Sequence, residues 1–175
     1  MEKTKKEKNP CKVVTGLVRF SYAHVFEPAS FGDNDDKKFS CAILIPKKDK
    51  STIAKLEAGI EAAKEVGKIK KAFTSPLHDG DDERPDDEAY EGMYYLNAKS
   101  TRRPYVVDED LNPIIDPEEF YSGCWGQASV TFYSYDYAGK KGVGVALNGV
   151  KKTKDGEKLS GGSTAEEDFG DDDLL

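Results

Sequence analysis

Hydrophobic positions along this 175-residue chain alternate with polar ones over most of its length, and the period changes only once. VVTGLVRF (13–20) is β-branched and alternating, which predicts a strand that can continue, bent, through SYAHVF. GDNDD (32–36) is a turn signal. KFSCAILI (38–45) predicts a second strand, closed by Pro46, with Phe39, Cys41, Ile43 and Ile45 on one face. From 51 to 71 the spacing becomes helical. Ile53, Leu56, Ile60, Ala63 and Val66 recur on one side, Asp49 or Ser51 can cap the start, and lysines crowd the end. Gly59 inside that helix costs some propensity.

Residues 74–91 read as a loop. MYYLNAKS (93–100) predicts a strand, and PYVVDEDLNPII (104–115) two short strands around a turn. WGQASVTFYSYDY (125–137) is the strongest strand pattern, and AGKK links it to GVGVALNGVKK (142–152) as a hairpin. Strands, one amphipathic helix and more strands suit a mainly β fold. A small antiparallel Greek-key barrel of the OB-fold type fits, and a split α+β sandwich is the rival.

Charge refines this picture. The chain has 26 basic and 33 acidic residues, net −7. The last fifteen residues, GGSTAEEDFGDDDLL, hold six carboxylates and no cation, so the body without them is close to neutral, at −1. A second acidic block, 79–91, carries eight carboxylates against Arg84, and outside both segments 25 basic residues face 19 acidic ones. The acidic total therefore conceals a mildly basic surface. The expected organisation is a flexible polar N-terminus (1–12), one barrel domain (13–155) and a disordered acidic tail (156–175).

No apolar run is long enough to span a membrane, and no signal-like segment follows the polar start. Cys11, Cys41 and Cys124 are few and far apart, which reads as reduced thiols in a cytoplasm. No metal site, cofactor or enzymatic chemistry is expected. DGDDERPDDE (79–88) has Arg84 where a calcium loop needs glycine, and the two histidines accompany no nucleophile motif.

Alternation places Ala128, Val130 and Phe132 on a core face and Ser129, Thr131, Tyr133, Tyr135 and Tyr137 on the other. In 93–99, Tyr94, Leu96 and Ala98 turn inward while Tyr95, Asn97 and Lys99 turn outward. Arg102, Arg103, Lys140 and Lys141 flank these tyrosines, and Arg19 lies on the first strand. Single-stranded nucleic acid needs this combination, because unstacked bases offer π-faces to aromatic rings and phosphates need cations. The competing reading is a protein–protein adaptor whose tyrosine-rich face is a partner or homodimer interface, without DNA binding. A nuclease using the 79–91 carboxylates is a weaker third. Trp125 reads as a core or barrel-end residue. Phe20, Tyr22 and Phe26 fit either role.

FYSGCWGQASVTFYSYDYAGKKGVGVALNGVKKTKDGEKLSGGSTAEEDF (120–169) resembles a family of bacteriophage single-stranded DNA-binding proteins. TGLVRFSYAHVFEP (15–28), LHDGDDERPD (77–86), YYLNAKS (94–100) and RRPYVVDEDLNPI (102–114) resemble it too. The resemblance implies an OB-fold, and a replication and recombination protein in the cytoplasm of an infected bacterium. It implies that the protein coats single strands and contacts phage or host replication proteins through its tail. The partner-binding residues would then be Glu166, Glu167, Asp168, Phe169, Asp171, Asp172, Asp173, Leu174 and Leu175. In such tails an aromatic often follows the acidic run, whereas here Phe169 precedes a second run and the chain ends Leu-Leu.

Overall fold

A computed structural model describes residues 9–30, 37–70 and 73–159. Residues 160–175, which hold all the acidic tail positions named above, lie outside the described residues, as do residues 1–8.

The first predicted strand is two. β1 (Lys12–Val14) and β2 (Val18–Ser30) are separated at Thr15-Gly16-Leu17. There, Gly16 N–H donates to Thr52 Oγ1 at 2.9 Å, tying the break to the helix that follows. β3 (Lys37–Pro46) runs against β2 and is buried on both faces for most of its length. β5 (Met93–Ser100), β7 (Trp125–Tyr137) and β8 (Lys140–Lys154) complete the sheet, with β4 (His78–Asp79) and β6 (Tyr105–Val107) at its margins. The second strand expected in 104–115 is reduced to one bridge, Val107 to Pro113.

Pairing closes the sheet on itself. β2 joins β7 and β3, β3 joins β5, β5 meets β8 in parallel at Lys99–Ala146, and β8 returns to β7. This is a five-stranded, mainly antiparallel barrel of OB type, as the pattern predicts. The core is Phe20, Ile43, Ile45, Leu96, Val130, Phe132, Leu147 and Val150, all essentially buried. Between Ser129 and Val130 the register skips Asn148. That bulge keeps Leu147 and Val150 both inward, and Asn148 Nδ2 fastens it by donating to Ser129 Oγ and Thr131 Oγ1 at 3.2 and 2.9 Å.

The helix α1 (Lys50–Gly67) lies between the second and third barrel strands and packs on β7, β8 and β1. Asp49 caps it, accepting from Thr52 N–H at 3.1 Å and from the Thr52 hydroxyl at 2.7 Å. These two bonds, the hydroxyl first, hold its carboxyl below the usual carboxylate range. The helix ends four residues earlier than predicted. Lys68 turns left-handed (φ 52°), and Ile69 N–H reaches back to the Lys64 carbonyl at 2.9 Å, a Schellman closure. Ile53, Leu56, Ile60 and Ala63 form the buried stripe, while Val66, expected on it, is exposed.

Gly59 has a packing reason. A Cβ there would lie 2.8 Å from both Phe132 and Val13, so its absence lets the helix settle onto β7 and β1. Gly59→Ala gains about 1 kcal/mol of helix propensity but overpacks this contact at a cost of about 1–3 kcal/mol. Urea denaturation is expected to show the variant to be no more stable than the wild type, against the usual outcome for an exposed helical glycine.

Candidate nucleic-acid interface

The outer face of the β7–β8 hairpin presents its tyrosines through a cross-strand device. Tyr133 stands opposite Gly144, and Tyr135 opposite Gly142. A Cβ on either glycine would collide with the opposing ring, so each ring crosses to β8 and rests on glycine backbone. Tyr105 of β6 covers Gly149 in the same way. One face of each ring is occupied by the sheet, yet Tyr133 and Tyr135 remain 48% and 46% exposed. The turn is Ala138-Gly139, both at positive φ, as a two-residue hairpin of opposite-handed type requires. Lys140 and Lys141, expected in the turn, are therefore the first residues of β8.

A groove of about 510 Å³ runs beside these rings, bordered by Tyr133, Tyr135, Asn97, Lys99 and Lys38. Beyond Tyr135 it passes into a second hollow lined by Lys68, Lys70, Lys140 and Lys141. Among the described residues, no Asp or Glu borders either hollow. The path thus gathers two half-exposed aromatics and six lysines from β3, β5, β8 and the segment after α1.

The other predicted residues are placed differently. Tyr95 is on the outer face as expected, but only 6% exposed, because the 78–91 segment folds over it. His78 stacks on its ring at 4.9 Å, and Tyr90 meets it edge-on at 5.0 Å. Arg19 lies outside the groove, in a separate hollow with Arg84 and Tyr95. Its Nε donates to the Gly123 carbonyl at 3.0 Å and its Nη2 to the Glu157 carbonyl at 2.7 Å, strapping down the chain that leaves β8. Its guanidinium also lies 5.6 Å from the partly buried Trp125 ring. Arg102 and Arg103 are exposed just past the groove-lining Thr101, with Arg103 over Phe39 at 5.6 Å. Tyr137 sits at the hairpin tip, 79% exposed and outside the groove.

The 78–91 segment is more than a loop. After β4 come a four-residue helix, α2 (Gly80–Glu83), and a 3₁₀ turn at Glu88–Tyr90. Lys47 Nζ pins it, at 2.7 Å from both Asp79 Oδ1 and Asp81 Oδ2. Arg84 lies 5.0–6.0 Å over Tyr90, Tyr22 and Tyr95, and donates to Tyr22 Oη at 3.1 Å. Tyr22 itself is unusual. One extra residue of β2 between Ser21 and His24 forms a bulge, and Tyr22 adopts φ 45° there. That conformation costs a non-glycine residue about 1–2 kcal/mol.

Comparison with known proteins places the chain. A family model described as "Enterobacter phage Enc34, ssDNA-binding protein" matches residues 11–175. The chain belongs to this family. Protein p50 of Acyrthosiphon pisum secondary endosymbiont phage 1 is 33% identical over 174 residues, covering 91% of this chain and 93% of that protein. The single-stranded DNA-binding protein of bacteriophage Enc34, solved in complex with ssDNA, superposes with a TM-score of 0.75 at 28% identity, over 85% of this chain and 89% of that one. The gp2.5 protein of bacteriophage T7 shares the fold, with a TM-score of 0.58 at 16% identity, over 87% and 97% of the two chains.

Within this family member, Lys38, Lys68 and Lys70 of the groove escaped sequence reasoning, as did Arg84. The signal for the platform was available. Gly142 and Gly144 fall at the positions that pair with Tyr135 and Tyr133 once the two-residue turn is known.

The pinned segment is acid-sensitive. The Lys47 ammonium holds the Asp79 and Asp81 carboxyls below their ordinary range. Their contribution is therefore complete above the unfolded carboxylate value of about 4 and is lost as pH falls through the depressed folded values. Amide exchange, corrected for intrinsic rates, is expected to accelerate in 78–91 below about pH 4 before it does in β3 or β7. Lys47→Met should reproduce the loosening at neutral pH.

Proposed function

We propose that this chain is a sequence-tolerant single-stranded DNA-binding protein serving phage DNA replication and recombination in the cytoplasm of the infected bacterium. Bases stack on the outward faces of Tyr133 and Tyr135, and phosphates are held by the six groove lysines, with Arg102 and Arg103 at its margin. The observation that carries this reading is the path in which two half-exposed tyrosines, laid on glycine backbone, run alongside six lysines, with no carboxylate bordering it among the described residues. Membership in a family whose Enc34 relative was solved with ssDNA supports it. A duplex hides its base faces, so an aromatic path selects unpaired strands. The acidic tail, with six carboxylates, competes weakly for the same lysines. When DNA displaces it, the tail becomes available to replication proteins.

Fluorescence titration with oligo-dT tests the groove. Tyr133→Ala with Tyr135→Ala should lose about 1–3 kcal/mol per stacked base while the thermal melt is preserved. Full affinity in that variant would assign the tyrosines to packing or to a subunit interface, the adaptor reading. If all six lysines meet phosphates, log Kd should rise with log salt with a slope of roughly 4, at about 0.7 per phosphate on a single strand.

Removing residues 161–175 tests the tail. DNA binding should tighten, most at low salt, where carboxylate–lysine attraction is least screened. Unchanged affinity at low salt would leave the tail no part in the groove.

A further inference from the structure

We infer that the hairpin at 104–119, which borders neither hollow of the groove, is a docking face for the lysine-rich residues 1–8 of a second copy of this chain. Val107 bridges Pro113, and Ile114 N–H donates to the Val106 carbonyl at 2.8 Å. Val106 and Ile114 are buried, so alternation turns Tyr105, Val107, Pro113 and Ile115 outward. Tyr105 is half exposed and Ile115 is 83% exposed. Leu111 joins them at the tip, 68% exposed and left-handed at φ 67°. The turn that carries it is tightly bonded. Asp108 Oδ1 accepts from the Asp110 and Asn112 N–H groups at 2.9 and 3.0 Å, and Leu111 N–H donates to the Asp108 carbonyl at 3.0 Å. A leucine held out in water on a strained backbone adds nothing to the core, and such strain persists where a side chain is aimed.

Charge defines what lands there. Residues 104–119 hold six carboxylates (Asp108, Glu109, Asp110, Asp116, Glu118 and Glu119) and no Lys or Arg. Among the described residues, none of the six is in a salt bridge. Two such hairpins repel each other, which excludes a symmetric contact between like faces. An apolar strip with an acidic rim is complementary to lysine, whose aliphatic stem covers apolar surface while its ammonium reaches a carboxylate. Tyr105 offers a ring to the same cation. The groove lysines are engaged by phosphates on the reading above. Residues 1–8, MEKTKKEK, offer Lys3, Lys5, Lys6 and Lys8 instead.

The donor is a neighbour rather than the same chain. Lys12 pairs with Thr131, and the Cys11 carbonyl accepts from Phe132 N–H, so the chain before β1 runs toward the β7–β8 turn. The hairpin lies against Gly149, Val150 and Lys151, toward the other end of β8. Asn9 is then about 20–25 Å from it, at roughly 3.3 Å per residue along β8 and 4.8 Å per strand across the sheet. At no more than about 3.6 Å per residue, Lys6 and Lys8 stay within about 11 Å of Asn9, and only Lys3 at full stretch nears its own hairpin. A donor at one end of the barrel and an acceptor toward the other give a head-to-tail contact, which can repeat as copies line up on one strand.

Carbodiimide cross-linking, which joins touching carboxylates and amines directly, tests the contact on the full chain, with and without a dT strand several times longer than an OB-fold site of about 4–16 nucleotides. Peptide mapping should find residues 1–12 joined to 104–120 in the dimer band. Alanine at Lys3, Lys5, Lys6 and Lys8 together should abolish that link. Leu111→Gly should weaken it while holding or raising the melting temperature, because glycine relieves the left-handed backbone. Lys5→Glu with Lys6→Glu on one copy should be rescued by Glu109→Lys with Asp110→Lys on the other. In titrations the four-lysine variant should bind the long strand roughly 10-fold more weakly, the worth of about two exposed ion pairs, and a single-site oligomer as the wild type does. A link confined to the monomer band, links from 104–119 to the groove lysines instead, or no link at all overturns the proposal. So does an equal loss on the single-site oligomer, which would make residues 1–8 a phosphate contact. Failure of the wild-type protein to bind either DNA overturns the groove reading, while the link formed without DNA still decides the contact between copies.

Discussion

Everything on the outer surface depends on the register of the β7–β8 hairpin. Along β7, Ala128, Val130 and Phe132 are buried in the barrel interior, while Tyr133 and Tyr135 lie exposed on its outside. A slip of one residue would send Phe132 and Val130 into water and bring Tyr133 and Ser129 into the core. The two-residue turn at Ala138-Gly139 and the Asn148 bulge hold this register at either end. The parallel contact of β5 with β8 then closes the barrel and carries Lys99 to within reach of Tyr133 and Tyr135. Closure is thus also what assembles the groove, because its aromatic and cationic parts come from strands far apart in sequence.

Period-two and period-3.6 patterns located β3, α1, β5, β7 and β8 to within a few residues, because each has at least one face that must be buried. What was hidden had non-local causes. The break at Gly16 is fixed by Thr52, thirty-six residues away, and the early end of α1 by the left-handed turn of a lysine rather than of a glycine. The acidic stretch looked like solvated loop because its partner, Lys47, lies outside it. The same hidden contact explains why Tyr95, correctly placed on the outer face, is covered. Alternation assigns a side, and only tertiary packing decides whether that side is open. Arg19 illustrates the same limit: its sequence neighbours suit a phosphate contact, and its geometry makes it a brace for the chain leaving β8.

Charge is arranged at two scales. The chain as a whole is acidic, which keeps it soluble and disfavours indiscriminate association with polyanions. The groove is locally the reverse, with six lysines and, among the described residues, no bordering carboxylate. Since Coulomb interactions between exposed groups fade beyond about 8–10 Å at physiological ionic strength, a phosphate in the groove responds chiefly to the lysines near it and little to the net charge. Composition therefore says little about the partner, and placement says much.

The glycines beneath Tyr133 and Tyr135 have a consequence for entropy. A surface tyrosine ordinarily samples several rotamers and must give them up when a base stacks on it, at about 0.5–1.5 kcal/mol for an immobilised side chain. Here the ring lies on Gly144 or Gly142 before any ligand arrives, so folding has already met that cost. On the stacking role proposed for these rings, more of the stacking energy would then be left to appear as affinity, and the two missing Cβ atoms would act on binding from beneath the rings.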